Sequence, residues 1–142
     1  MSSDPDFTRR PDERTDAREQ TVIVLYEAEQ RAVSPLSILA EGGIASEELS
    51  TMLVTGVHEA KEAIDQHIIS HAKGWSLERM PALDRAILRL AIFELMSRPD
   101  VPIAVVIDEA VELAKRFSTD DSGRFVNGVL SAVAQSVRPS GD

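Results

Sequence analysis

Apolar residues recur along most of this chain with the period of an α-helix. From Ala17 onward, Ala17, Thr21, Val24, Leu25, Ala28 and Ala32 fall on one stripe. The β-branched run TVIVLY (21–26) would suit a strand, but the charged EAEQRA after it keeps the helical spacing. Pro35 opens a short helix over LSILAE, which Gly42 and Gly43 end. Ser46 is placed to cap a long helix in which Leu49, Leu53, Val57, Ala60, Ile64, Ile68 and His71 share a face. Gly74 stops that helix, with Lys73 suitably placed in its last turn. Trp75 and SLERM make a corner, and Pro81 stands where a first helical residue belongs. The segment after it, ALDRAILRLAIFELMS, is apolar around most of its girth and is expected at the centre of the fold.

Pro99 and Pro102 punctuate the next turn. IAVVIDEAVELAKRF again starts like a strand and continues with helical spacing. Ser118 or Thr119 can cap the last helix, STDDSGRFVNGVLSAVAQSV, while Asp120 and Asp121 complement its positive start. Pro139 ends the order. The expected fold is all-α with about six or seven helices; the rival is an α/β protein with TVIVLY and IAVVI as strands. Residues 1–13, polar and broken by proline, read as a disordered tail. Residues 14–139 read as one helical domain, with an amino-terminal half over 14–74 and a carboxy-terminal half over 75–139.

Composition narrows the chemistry. The chain has 142 residues and no cysteine, which excludes thiol catalysis, disulfides and thiolate zinc sites and suits a reducing cytoplasm. Its first apolar run is too short to span a bilayer, so no membrane role is expected. A formal charge of −9, from 24 acids against 15 Lys and Arg, lacks the basic footprint of a protein that captures nucleic acid alone. It suits a protein that meets RNA beside a basic partner, or one that meets only proteins.

Catalytic signatures are missing: there is no phosphate-binding glycine loop, nucleophile elbow or HExxH helix. His67 and His71 share a helix face but have no evident third metal ligand, so core or rim histidines are the expectation. The neighbouring acids Asp108 with Glu109, and Asp120 with Asp121, diverge by about 100° on a helix and make poor dyads. Neither an enzyme nor a cofactor is implied. Trp75 reads as a packing wedge between the two helical halves. Gly123 and Gly128 lie inside a helical pattern, each at a cost of about 1 kcal/mol relative to alanine. They suggest close approach by another backbone or a ligand. Arg124 and Phe125, one turn past the cap, are the types that stack a splayed RNA base, although a core role for Phe125 fits the pattern as well.

Three segments carry a resemblance: LDRAILRLAIFEL, DVPIAVVIDEAVELAKRFSTDDSGRFVNGVL and the terminal VRP. They are similar to the NusB transcription antitermination factors, densely from Trp75 to Pro139 and more loosely back to the first helix, where ARE and LYEAE align. The resemblance implies two packed three-helix bundles without catalytic activity. It implies a heterodimer with the ribosomal protein NusE that binds boxA-type nascent RNA and keeps RNA polymerase processive through ribosomal RNA operons. Carried over position by position, it places Arg14, Arg18, Tyr26, Asp121, Arg124 and Phe125 on RNA, and Asp84 on the acidic face that meets the partner. The chain departs from the family in the arginine motif ahead of ARE, where Arg14, Thr15 and Asp16 stand for three or four basic residues. Arg9 and Arg10 lie further out, and Asp16 with Glu19 has the spacing of a capping box. A protein-only interaction module or homodimer of the same fold is the alternative implied by that loss of charge.

Overall fold

The computed structural model describes residues 11–42 and 47–142, with the side chains of residues 11–13 left out. Those residues contain seven α-helices and no strand. They are α1 (Pro11–Arg31), α2 (Pro35–Ala40), α3 (Glu48–Glu59), α4 (Lys61–His71), α5 (Ala82–Ser97), α6 (Ile103–Phe117) and α7 (Asp120–Val137), with a single 3-10 turn over Leu77–Arg79.

Both strand-like runs are helical, and burial explains why. In α1 the stripe Ala17, Thr21, Val24, Leu25 and Ala28 is buried, and the Thr21 hydroxyl donates to the Ala17 carbonyl at 2.8 Å, so it needs no partner elsewhere. In α6 the buried residues Val106, Ala110, Leu113 and Ala114 are spaced by four, three and one, which only a helix brings to one face. Intrinsic β preference is worth about 1 kcal/mol or less per residue, and a fully buried stripe outweighs it.

Helix α1 begins at Pro11, six residues before Ala17. Asp16 is then an exposed residue in the second turn, and the capping box expected from Asp16 and Glu19 does not form. The rest of the expected tail, including Arg9 and Arg10, lies outside the described residues, as does Ser46.

The long helix expected up to His71 is bent into α3 and α4 at Ala60, whose backbone (φ −101°, ψ 14°) leaves the helical well. The ladder of hydrogen bonds passes through the bend: Ala60 N–H donates to the Gly56 carbonyl at 3.0 Å and Ile64 N–H to the Ala60 carbonyl at 2.9 Å. The apolar register therefore survives, with Leu53, Val57, Ile64 and Ile68 all buried. One turn before the bend the tip of the Phe93 ring packs against Gly56, where a β-carbon would overlap it.

Helix α5 occupies the centre. Ten of its sixteen residues are buried, and it packs against α1, α3, α4, α6 and α7. Helices α1, α2 and α3 pack on one another, as do α5, α6 and α7, and α4 crosses to α5 and α7. One apolar core runs through both groups, from Val22 and Leu53 to Ile92 and Leu130; a smaller cluster of Val24, Ala28, Ile38 and Val54 lies under α2.

Ion pairs tie the helices together at the edge of this core. Glu29 of α1 accepts from Arg85 and, at 3.1 Å, from Arg89, while Arg89 holds Asp65 of α4 at 2.8 Å. The hydrogen bond from Arg85 is the main reason the Glu29 carboxyl is held below the usual carboxylate range, since burial alone would raise it.

Candidate nucleic-acid interface

The start of α7 is built as a well-capped helix end. Thr119 Oγ1 accepts from the Ser122 amide at 3.0 Å, and the Ser118 hydroxyl lies 2.9 Å from that of Ser122. Asp120 and Asp121 fill the exposed first turn. Arg124 pairs with Asp121 at the surface, and both side chains are largely exposed. An exposed pair of this kind contributes under about 1 kcal/mol, so Arg124 parts from Asp121 at little cost. Phe125 packs partly on the core and meets Trp75 with ring centroids 5.7 Å apart and planes at 57°. Trp75 nevertheless remains 49 % exposed, more than a wedge between two halves requires.

Gly123 accounts for itself: a β-carbon there would stand 3.1 Å from Lys115 Cγ, so the stem of Lys115 crosses the first turn of α7 directly. Gly128 has open space around it, and the close approach expected there does not occur within this chain.

Side chains join the head of α1 to α6. Thr15 donates to Glu109 at 2.8 Å, and Arg116 donates to Glu19 at 2.9 Å while sitting 5.2 Å over the Phe117 ring. Tyr26 is seven residues beyond Glu19, hence on the same face of α1 and two turns further along; its side chain is exposed. Arg14 is half-buried on the same helix.

Two expected site residues are buried. Arg18 is 4 % exposed, and its guanidinium donates to both oxygens of the buried Glu94, at 2.7 and 2.8 Å. Burial alone would lower the Arg18 pKa, but the hydrogen bonds and charge of Glu94 leave it raised. This side chain is a tie between α1 and α5, with both of its forks committed. Its position one turn after Arg14 gives no sign of this, because the partner is 76 residues away.

Asp84, expected on the partner face, is 2 % exposed and turned toward the start of α7. Its Oδ1 has no hydrogen-bond partner among the described residues. Burial raises its pKa, and a hydrogen bond with Ser122 only partly offsets this. With the folded value above the ordinary 3.8, ionisation opposes folding. The penalty is absent below 3.8, grows as pH rises through the folded value, and is complete above it. Asp84→Asn keeps the Ser122 contact and removes the charge. At pH 7 it should be at least as stable as the parent, and urea unfolding between pH 4 and 7 should lose that part of its slope. A variant clearly less stable at pH 7 would mean that the carboxylate has a partner it needs.

Among the described residues, no three His, Asp or Glu side chains converge as metal ligands. His67 and His71 stack with centroids 6.1 Å apart, and His71 Nδ1 lies 2.8 Å from the His67 carbonyl, which commits that nitrogen. None of the described helices is long and apolar enough to cross a membrane.

The start of α7 thus sets an exposed guanidinium beside two aromatic rings on a helical scaffold. The chain belongs to the NusB family, whose model matches residues 15–135. It is 50 % identical over 128 residues to the transcription antitermination protein NusB of Saccharopolyspora erythraea, covering 85 % of this chain and 86 % of that one. Its identity to NusB of Acidothermus cellulolyticus is 49 %, covering 84 % and 86 %. The fold is similar to that of T. maritima NusB, with a TM-score of 0.81 and 35 % identity over 89 % of this chain and 94 % of that one. It is also similar to a chain in a structure of antitermination factors NusB and NusE in complex with double-stranded RNA. There the TM-score is 0.78 and the identity 28 %, over 89 % of this chain and 99 % of that one.

Proposed function

We propose that this chain is an RNA-binding transcription antitermination factor that acts with NusE on boxA-type nascent RNA and supports transcription of ribosomal RNA operons. The carrying observation is family membership along nearly the whole chain, with relatives named as antitermination proteins and a similar fold in a NusB–NusE–RNA structure. Its work is recognition rather than catalysis, and its place is the cytoplasm, where transcription occurs.

On this reading Arg124 and Phe125 contact RNA at the start of α7, with Asp121 orienting Arg124 and Tyr26 and Arg14 extending the contact along α1. Arg18 is left out of the contact set because Glu94 occupies both its forks. Lys115, and Arg116 beside it at the end of α6, lie between these two groups and supply positive charge where the arginine motif is thin. Because Asp84 is buried, this reading assigns the docking of the basic partner to other side chains.

Titration of a labelled boxA-type RNA, with and without NusE and at two salt concentrations, tests the reading. Tight, salt-dependent binding in the presence of NusE is expected, since each neutralised phosphate releases counterions. NusE binding without any RNA binding would leave a protein-only interaction module. In the same assay Phe125→Ala should weaken RNA binding by about 1–3 kcal/mol, the usual worth of a stacking platform, with the fold retained. A lower melting temperature with unchanged RNA affinity would assign Phe125 to the core alone.

A further inference from the structure

Trp75 is the only tryptophan of the chain and, at 49 % exposure, one of two exposed aromatic side chains among the described residues, with Tyr26. It is not displayed on a loose loop. Gly74 turns the chain with φ +83°, and the Trp75 amide donates to the Ala72 carbonyl at 3.1 Å. The 3-10 turn over Leu77–Arg79 follows at once, with Leu77 packed on the core and Met80 buried. Arg85 then donates to the carbonyls of Leu77 at 2.9 Å and Met80 at 2.7 Å, which fastens the connection to α5. The ring is thus held open to solvent by a rigid connection that touches Phe125.

Charge points the same way. Arg18, Arg85, Arg89 and Arg98 pair with acids at the edge of the core, Arg31, Arg116 and Arg124 pair with acids at the surface, and Arg138 is buried on carbonyls. Lys73 and Arg79, on either side of Trp75 in the chain, are exposed and form no ion pair among the described residues. A half-exposed indole with uncommitted cations before and after it has the chemistry of single-stranded nucleic-acid binding, where rings take bases and cations take the adjoining phosphates.

Resting on the RNA reading above, we infer that Trp75 and Phe125 form a two-ring platform that takes two neighbouring unpaired bases, with Lys73 and Arg79 on the phosphates that flank them. The platform extends the RNA track past the start of α7 onto the connection between α4 and α5. Its ordering cost is met in the free protein, because the connection is already hydrogen-bonded at both ends.

The test uses the full chain with NusE and a single-stranded boxA-type RNA. Emission of Trp75, followed with the free chain and with a tryptophan-free NusE, should be quenched as RNA is added. Trp75→Ala should weaken binding about tenfold with an unchanged salt slope, because stacking releases no counterions. Lys73→Ala and Arg79→Ala should each flatten the log–log salt slope by about 0.7, the value per phosphate on a single strand. Melting of each variant is measured alongside, and the Trp75→Phe variant, which keeps a smaller ring, should recover part of the affinity. If the parent and Phe125→Ala behave as proposed but Trp75→Ala binds like the parent and its emission is unmoved by RNA, the two-ring platform is overturned and the RNA reading stands. If the parent binds no RNA with or without NusE, both are overturned.

Discussion

Arg18→Ala should lose about 3–5 kcal/mol of stability, because it leaves the Glu94 carboxylate buried without its main partner. Only Arg98, at 3.3 Å, would remain beside a side chain that is 1 % exposed. For a domain whose total stability is about 5–15 kcal/mol, that is a large part of the whole. The check is urea unfolding, where the midpoint should fall with little change in the slope of the transition. Arg18→Lys should recover little, since a single ammonium cannot reproduce two parallel bonds at 2.7 and 2.8 Å. Replacing both partners, Arg18→Met with Glu94→Leu, should restore much of the loss, because the desolvation cost disappears with the charges. A variant Arg18→Ala that keeps the parental midpoint while losing RNA affinity would put this side chain back on the RNA surface.

The second large effect is expected at the other end of the chain. Arg138, 8 % exposed, donates to the carbonyls of Leu95 at 2.9 Å, Val101 at 2.6 Å, Glu94 at 3.0 Å, Arg98 at 2.8 Å and Asp142 at 3.2 Å. The Leu95 carbonyl, four residues before Pro99, has no amide partner of its own, while those of Glu94 and Arg98 also accept from the amides of Arg98 and Val101. One guanidinium therefore caps the central helix, closes the turn toward α6 and anchors the end of α7. Arg138→Met keeps the apolar stem and removes every donor. It should cost about 3 kcal/mol, the scale of several charge-assisted bonds lost from partly buried acceptors. In a protein of this size that lowers the melting temperature by roughly 10 °C. RNA affinity measured well below the transition should not change, since the cluster lies on backbone rather than at the start of α7. An unchanged melting temperature would mean that water replaces the guanidinium without loss.

These two arginines mark where reading the chain and folding it part company. The resemblance put Arg18 in the RNA motif by its place one turn after Arg14, and nothing local distinguishes the two. What separates them is Glu94, on a helix reached only through the tertiary fold. Arg138 was legible as part of the terminal VRP, but its five carbonyl partners are not, because backbone acceptors leave no trace in side-chain identity. Asp84 is a similar case: an acid in the first turn of a helix reads as exposed, and only the packing of α7 over α5 buries it. Trp75 departs in the opposite direction, expected as a wedge and found half in solvent.

The sequence by itself determined the all-helical class, a count of about six or seven helices, most of each buried stripe and a cap at Ser118 or Thr119. Those properties follow from spacing and from residues within one or two turns, where side chain and backbone interact at fixed separations. Membership of the family was likewise carried by contiguous segments. The tertiary structure alone decided which charges face water and which hold helices together, and it bent one long apolar helix at Ala60 where the Phe93 ring lies on Gly56 one turn earlier. Burial and ion pairing depend on residues far apart in the chain, and a local pattern has no means of encoding the partner.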